Sequence, residues 1–395
     1  MKIHIDKKHL LLLNDLFVFG LAIINATLIT RIFGLNYMGL NVYFFIFISP
    51  LISVLRFSID KKVLAILDLR YALSLHAIAY GSSIVIFMIG FFFAFMIGRN
   101  DEEKLFLIFV LLLKLSQVNL KYLVNLKIRL AEYKQILRII LTAYAFPLLL
   151  ILALILADFE LKRIFYSYIL YLTTCVFFFF VITIPLRRIK YWMNLKEHIS
   201  LTATDFLVTL KTSIPRYFFE ILLGREMLGV IAICQQIAQL SDILPGTMIK
   251  LKSRRIITLA NQYKLLEMKQ LRTNLLARIA LFLFVFYVII CTANVTIFTE
   301  VFMLEEYPSI LLLLSFLIAR GLANLCNVEK FVFNVLNSSS QTLVPLFQIL
   351  LFFLLYYSVA VVLELDHEQI LVLPLVVTEI FLLLRYRQKI KVLSV

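Results

Sequence analysis

The residues of this chain that could do chemistry are polar and charged side chains set inside long apolar runs. Lys114, Gln117, Lys121 and Asn125 follow one another at steps of 3, 4 and 4, and so do Thr209, Thr212, Arg216 and Glu220. Gln235, Gln239 and Asp242 are spaced 4 and 3, as are Arg320, Asn324 and Asn327, and Ser49, Ser53 and Arg56; Thr27 and Arg31 are four apart. Such steps put each set on one face of a helix. A charge at the centre of a bilayer costs about 2.5–3.5 kcal/mol, so these side chains are expected to face a protein interior or a wet cavity. The clear interior cations are Lys114, Arg216 and Arg320, with Arg31, Arg56 and Lys211 nearer the ends; the deep acids are Glu220, Asp242 and Glu379. A cavity of net positive sign suits an anionic group, and the planar fork of arginine suits phosphate in particular. The carboxylates Glu220, Asp242 and Glu379 are candidates to carry a coupling proton or sodium ion. Simpler readings stand beside these. Ser, Thr, Asn and Gln serve as hydrogen-bonding glue between helices. Arg31, Arg56 and Lys121 can snorkel to the headgroups. Arg216 and Glu220 are spaced for an i,i+4 ion pair.

Other chemistry finds no support. The chain contains no Walker A sequence, no HExxH and no GxSxG, so no catalytic residue is assigned and the protein is not expected to be an enzyme. His4, His9, His76, His198 and His367 are scattered, and only His76 falls within an apolar run, where a packed histidine is the ordinary reading. Cys175, Cys234, Cys291 and Cys326 are isolated, form no CxxC and read as small buried hydrophobes. No metal ligand set and no cofactor motif is present beyond the possible H+ or Na+ site.

The elements that must hold the interior charges follow from composition. The 395 residues are 62% hydrophobic and 16% charged, against about 45–50% and 25% in soluble domains. The apolar runs are continuous and close to 20 residues long, the length of a bilayer-spanning helix and not of an alternating barrel strand. Twelve runs are predicted, roughly 14–32, 40–57, 71–97, 105–125, 137–157, 164–186, 203–223, 227–249, 274–297, 308–327, 341–363 and 369–385. The fold class is therefore an all-α polytopic membrane protein. The net charge of +15 first suggests nucleic acid, but the basic residues lie between the spans rather than on one soluble module. With a cytoplasmic N-terminus, the outside segments hold only Arg99, Lys104, Lys162, Arg163 and Arg225 among the basic residues and are otherwise acidic. That asymmetry is the positive-inside rule, and it predicts both termini in the cytoplasm.

Glycine spacing points to a duplication. Of ten glycines, only Gly34/Gly39 and Gly224/Gly229 are five apart, and the two pairs are 190 residues apart. Each pair follows a span and precedes the next. Two tight turns would explain the glycines locally. A repeat predicts two six-helix lobes, 1–196 and 197–395, divided near the basic linker 187–202 and enclosing a central cavity, with a substrate site between the halves near the midplane.

The strings LITRIFGLNYMGLNVYFF (28–45) and SIPRYFFEILLGREMLGVIAICQQIAQ (213–239) resemble bacterial oligosaccharide-lipid flippases, the O-antigen and capsule-type polysaccharide-biosynthesis exporters of the multidrug/oligosaccharidyl-lipid/polysaccharide superfamily. The most specific part is Ile214-Pro215-Arg216-Tyr217, then Leu223-Gly224 and Leu228-Gly229. The resemblance implies a V-shaped fold in the bacterial inner membrane. It also implies transfer of an undecaprenyl-pyrophosphate-linked oligosaccharide between leaflets by alternating access, with membrane lipids and glycan-assembly proteins as further partners. Arg31 and Arg216 would then hold equivalent places in the two halves, and Arg216, Arg31, Lys114, Arg320 and Arg56 would neutralise the pyrophosphate. Two alternatives remain open: a cation-coupled multidrug exporter of the same superfamily, and a membrane-embedded glycan polymerase or acyltransferase. The short acidic outside loops disfavour a polymerase.

Overall fold

The structure, a computed structural model, describes residues 7–56, 59, 69–129, 132–156, 160–183, 195–262, 264–302, 304, 308–336, 343–365 and 367–393. The basic linker 187–202 therefore lies partly outside the described residues.

The chain is an all-helical membrane protein. Twelve long helices run in sequence among the described residues. They are α1 (Lys7–Phe33), α2 (Leu35–Leu55), α3 (Leu69–Ile97), α4 (Asp101–Arg129), α5 (133–156), α6 (Leu161–Thr183), α7 (195–223), α8 (225–261), α9 (Leu265–Thr292), α10 (Ile310–Leu336), α11 (Leu343–Val362) and α12 (Glu368–Leu393). Each coincides with one predicted span. The reason is physical: a 20-residue apolar run in lipid must satisfy every backbone N–H and C=O internally, and a helix does so within one segment.

Local chemistry shapes the irregular points. Gly224 breaks the helical stretch Leu195–Gln239 with φ 81°, which separates α7 from α8. Gly34, with φ 84°, does the same between α1 and α2. Within α5 a π turn at Leu141–Ala145 precedes Pro147, whose missing N–H already removes one ladder bond. Asp101, Glu102 and Glu103 occupy the first turn of α4, where carboxylates complement the helix dipole.

Nine of the described helices are long and apolar enough to cross a membrane by length and composition alone. The three that fall short, α7, α8 and α12, carry Arg216, Asp242 and Glu379. Large side chains lie uncovered along the spanning helices, among them Met88, Phe92 and Met96 of α3 and Leu281 and Phe284 of α9. Such apolar exposure suits lipid and not water.

The helices group into two compact units, Met1–Leu10 with Leu40–Ser213, and Leu11–Gly39 with Ile214–Val395. In the first unit α3 packs on α4, α4 on α6, and the second half of α5 on α6. His76 is one of its packed residues: its ring stacks on Phe180 at 4.3 Å, and its Nε2 lies 3.3 Å from the Phe180 carbonyl oxygen. In the second unit α10 makes its most extensive contact with α12, and α9 packs on both α8 and α10. The grouping follows contacts and not chain halves, since most of α1 clusters with the C-terminal helices. All three residues of the predicted third stripe, Gln235, Gln239 and Asp242, are half-buried there, and Ser241 beside them is fully buried.

Candidate functional site

The interior polar residues of the second unit form a connected set. Arg216, one residue past Pro215 in α7, donates from Nε and Nη2 to the Gln235 side-chain oxygen of α8 at 3.0 and 2.6 Å. About two turns further along α8, Asp242 takes both prongs of the Arg320 guanidinium of α10. Nε reaches its two oxygens at 2.8 and 3.0 Å, and Nη2 donates to Oδ2. Asn324, four residues after Arg320 on the same face, donates Nδ2 to Asp242 Oδ1 at 2.9 Å and to Ser241 Oγ at 3.3 Å. The positive charge of Arg320 acts on Arg216, and the Glu379 carboxylate of α12 acts on Arg320. Helical spacing explains how the sequence builds this set, because Gln235 and Asp242 are seven apart on α8 and Arg320 and Asn324 are four apart on α10.

The charge of the set is uneven. Arg320 and Asp242 form a bidentate, charge-assisted pair and neutralise each other. Arg216 meets only a neutral amide; among the described residues no carboxylate is paired with it. An uncompensated guanidinium inside an apolar helix bundle is costly unless water or an anion reaches it.

The predicted i,i+4 pair between Arg216 and Glu220 does not form. Glu220 instead accepts from Arg225 Nε at 3.1 Å, because the chain turns at Gly224 and brings the Arg225 side chain back over the end of α7. This pairing leaves Glu220 a structural role at the α7–α8 corner and leaves Arg216 free to reach α8.

The remaining predicted cations are placed elsewhere. Arg31 belongs to the second unit but lies exposed at the end of α1, donating Nε to the Val301 carbonyl at 3.0 Å and Nη2 to the Glu300 carbonyl at 2.5 Å. It caps the last carbonyls of a helical turn, a common use of arginine. Arg56 and Lys114 are in the first unit. Arg56 is 2% exposed and donates Nη1 to Asn119 Oδ1 at 2.7 Å and to Ser83 Oγ at 3.2 Å. The Lys114 ammonium lies 5.8 Å from the centre of the Phe45 ring, a cation–π contact. Arg31 and Arg216 are also not equivalent in the repeat. The glycine register maps Arg216 onto Ala26 and Arg31 onto Ile221.

One charged cluster escaped sequence reasoning. Glu329, with no exposed surface at its side chain, accepts from Arg387 Nε at 3.1 Å and lies 3.6 Å from Arg272 Nη1, which joins α10 to α12 and α9. Its partners are 57 and 58 residues away, so no local spacing could announce them.

Similar folds place this architecture. An inward-facing multidrug resistance MATE family transporter of the MOP superfamily superposes with a TM-score of 0.60 at 13% identity, over 100% of this chain and 97% of that one. The fold is that of the MOP superfamily transporters. A MATE P26A mutant gives a TM-score of 0.64 at 12% identity, over 99% and 98% of the two chains. A MOP superfamily transporter from Pyrococcus furiosus, described as having a binding pocket of reverse polarity that suggests a different function, gives 0.60 at 12% identity over 99% of each chain. The MOP fold has twelve helices in two lobes, the helix count seen here. No family model and no curated protein sequence matches the chain.

Proposed function

We propose that this protein is a membrane transporter that exports amphipathic solutes bearing negative charge by alternating access. The observation that carries the reading is Arg216, an interior guanidinium whose partner is the neutral Gln235 amide. An anionic group on a passing solute would supply the counter-charge, and arginine presents two donors to it at once. Arg320 is the second cation within reach of the same region, held in reserve by Asp242. The apolar walls of the spans suit the rest of an amphipathic solute.

The fold favours the multidrug-exporter reading over a flippase for lipid-linked oligosaccharides, because two of the solved proteins that share it are described as multidrug resistance transporters. In that reading Asp242 and Glu379 are the candidates for H+ or Na+ coupling, and the membrane is a bacterial cytoplasmic membrane with both termini inside. The oligosaccharide-lipid reading keeps one point in its favour, the cationic sign of Arg216, since a pyrophosphate is the strongest anion such a site could meet.

The test is transport in proteoliposomes with paired anionic and cationic amphipathic dyes of similar size. Wild-type protein should move the anionic dye faster, and Arg216→Ala should lose that preference while remaining folded in the membrane. An unchanged preference in the variant overturns the site. Flipping of a fluorescent polyprenyl-pyrophosphate sugar, with no dye transport, would decide for the oligosaccharide reading.

A further inference from the structure

α9 presents two faces, and the outer one changes character along its length. Leu275, Ile279 and Leu283 pack with Val328 of α10 in a buried core. On the opposite side Lys269, Thr273, Asn274, Ala277, Arg278 and Leu281 are all exposed, at steps that a helix turns into one stripe. From Leu281 onward the stripe is apolar, with Phe284, Val285, Val288, Ile289 and Val295 uncovered. Its one polar member, Thr292, bonds its hydroxyl back to the Val288 carbonyl at 3.0 Å. Arg278 is the only charged residue between Arg272 and Glu300. The exposed stretch from Ala277 to Val295 rises about 27 Å, close to the ~30 Å hydrocarbon core of a bilayer. The rim of that core therefore falls at Arg278, and Thr273 and Asn274, one turn further out, stand at the level of the lipid phosphates.

At that level the surface is concave. An open cavity of about 530 Å³ lies against Leu266, Lys269, Gln270, Thr273 and Asn274. Lys269 and Arg278 are separated by about 14 Å of helix rise and flank the Gln270 and Asn274 amides from below and above. Long basic side chains at such a rim bend their heads toward the headgroups. Positive charge is left over there. Glu267, the one acid in these turns, lies 3.6 Å from Lys264. Arg272 is spent on the buried Glu329. Among the described residues, neither Lys269 nor Arg278 has an ion pair.

We propose that the first turns of α9 are a binding site for an anionic phospholipid, whose phosphodiester sits in the cavity between Lys269 and Arg278 and whose acyl chains run along the Leu281–Val295 stripe. Gln270 and Asn274 supply neutral donors to the same phosphate. A zwitterionic lipid brings its own ammonium to the two cations and gains less from them, so the site selects by headgroup charge. A soluble anion lacks the chains that the stripe solvates. The inference concerns lipid and stands apart from the transport reading.

The test uses the full chain in phosphatidylcholine vesicles that contain a minor fraction of phosphatidylglycerol, with Trp192→Phe removing the native fluorophore. Leu281→Trp places a reporter on the stripe at a position 67% exposed; Met88→Trp on α3, 65% exposed, is its match with no charged residue in the adjoining turns. Brominated phosphatidylglycerol should quench the α9 reporter several-fold more than brominated phosphatidylcholine at equal mole fraction, and should show no such excess at the α3 reporter. Lys269→Gln combined with Arg278→Gln, both at exposed positions, should abolish the excess, while Lys269→Arg should keep it. Equal quenching by the two lipids at α9 overturns the site. So does an equal excess at α3, or an excess that survives the double substitution.

Discussion

Arg216 and Arg320 differ in what surrounds them, and their replacement should differ accordingly. Removing Arg320 leaves Asp242 as an unpaired carboxylate among apolar helices, a change that typically costs about 3–5 kcal/mol. Arg320→Met should therefore lower thermal stability in detergent strongly, and Asp242→Asn in the same chain should restore much of it, as a double-mutant cycle by thermal unfolding would show. Arg216→Met should not destabilise by a comparable amount, because its partner is an amide that water can satisfy; its effect belongs to transport. At this scale the sequence was partly legible. Helical steps correctly put Arg216, Asp242, Arg320 and Asn324 on polar stripes. They could not say that Gln235, and not Glu220, would receive Arg216, because that choice depends on how the chain turns at Gly224.

The corners separate two reasons for glycine. At Gly224 an alanine meets no atom, and the cost is backbone strain alone, about 1–2 kcal/mol for a left-handed residue. At Gly229 an alanine meets a carbonyl in the facing helix. Gly224→Ala is thus expected to lower the melting temperature modestly and Gly229→Ala to lower it further, because the facing backbone must give way; parallel melting curves check the contrast. The elements themselves were readable because lipid leaves the backbone few choices, and the twelve apolar runs became twelve helices. The extension of α8 to Asn261 was not foreseen, since its polar second half carries no apolar signal to count.

For the whole molecule, the sign of the loops is the main constraint. The basic residues between spans predict that both termini and the α8–α9 turn face the cytoplasm, so a reporter active only inside the cell should work when fused after Val395 and fail when inserted at the α3–α4 turn near Asn100. The reverse pattern would invert every assignment made from charge. The helix count was legible at this scale from the number of apolar runs. The assignment of α1 to the second compact unit was not, because no composition or spacing records which neighbour a helix chooses.

The buried Glu329 has a consequence for how the chain is made. Arg272 precedes it and is already synthesised when Glu329 enters the membrane, but Arg387 follows 58 residues later. At synthesis rates of about 5–20 residues per second, the carboxylate waits on the order of 3–12 s with only half of its final shell. The last helix thus completes a charge that the tenth leaves open. A nascent chain that stalls or ends before α12 carries an exposed acidic defect, the kind of mark by which a quality-control protease can tell an unfinished membrane protein from a finished one.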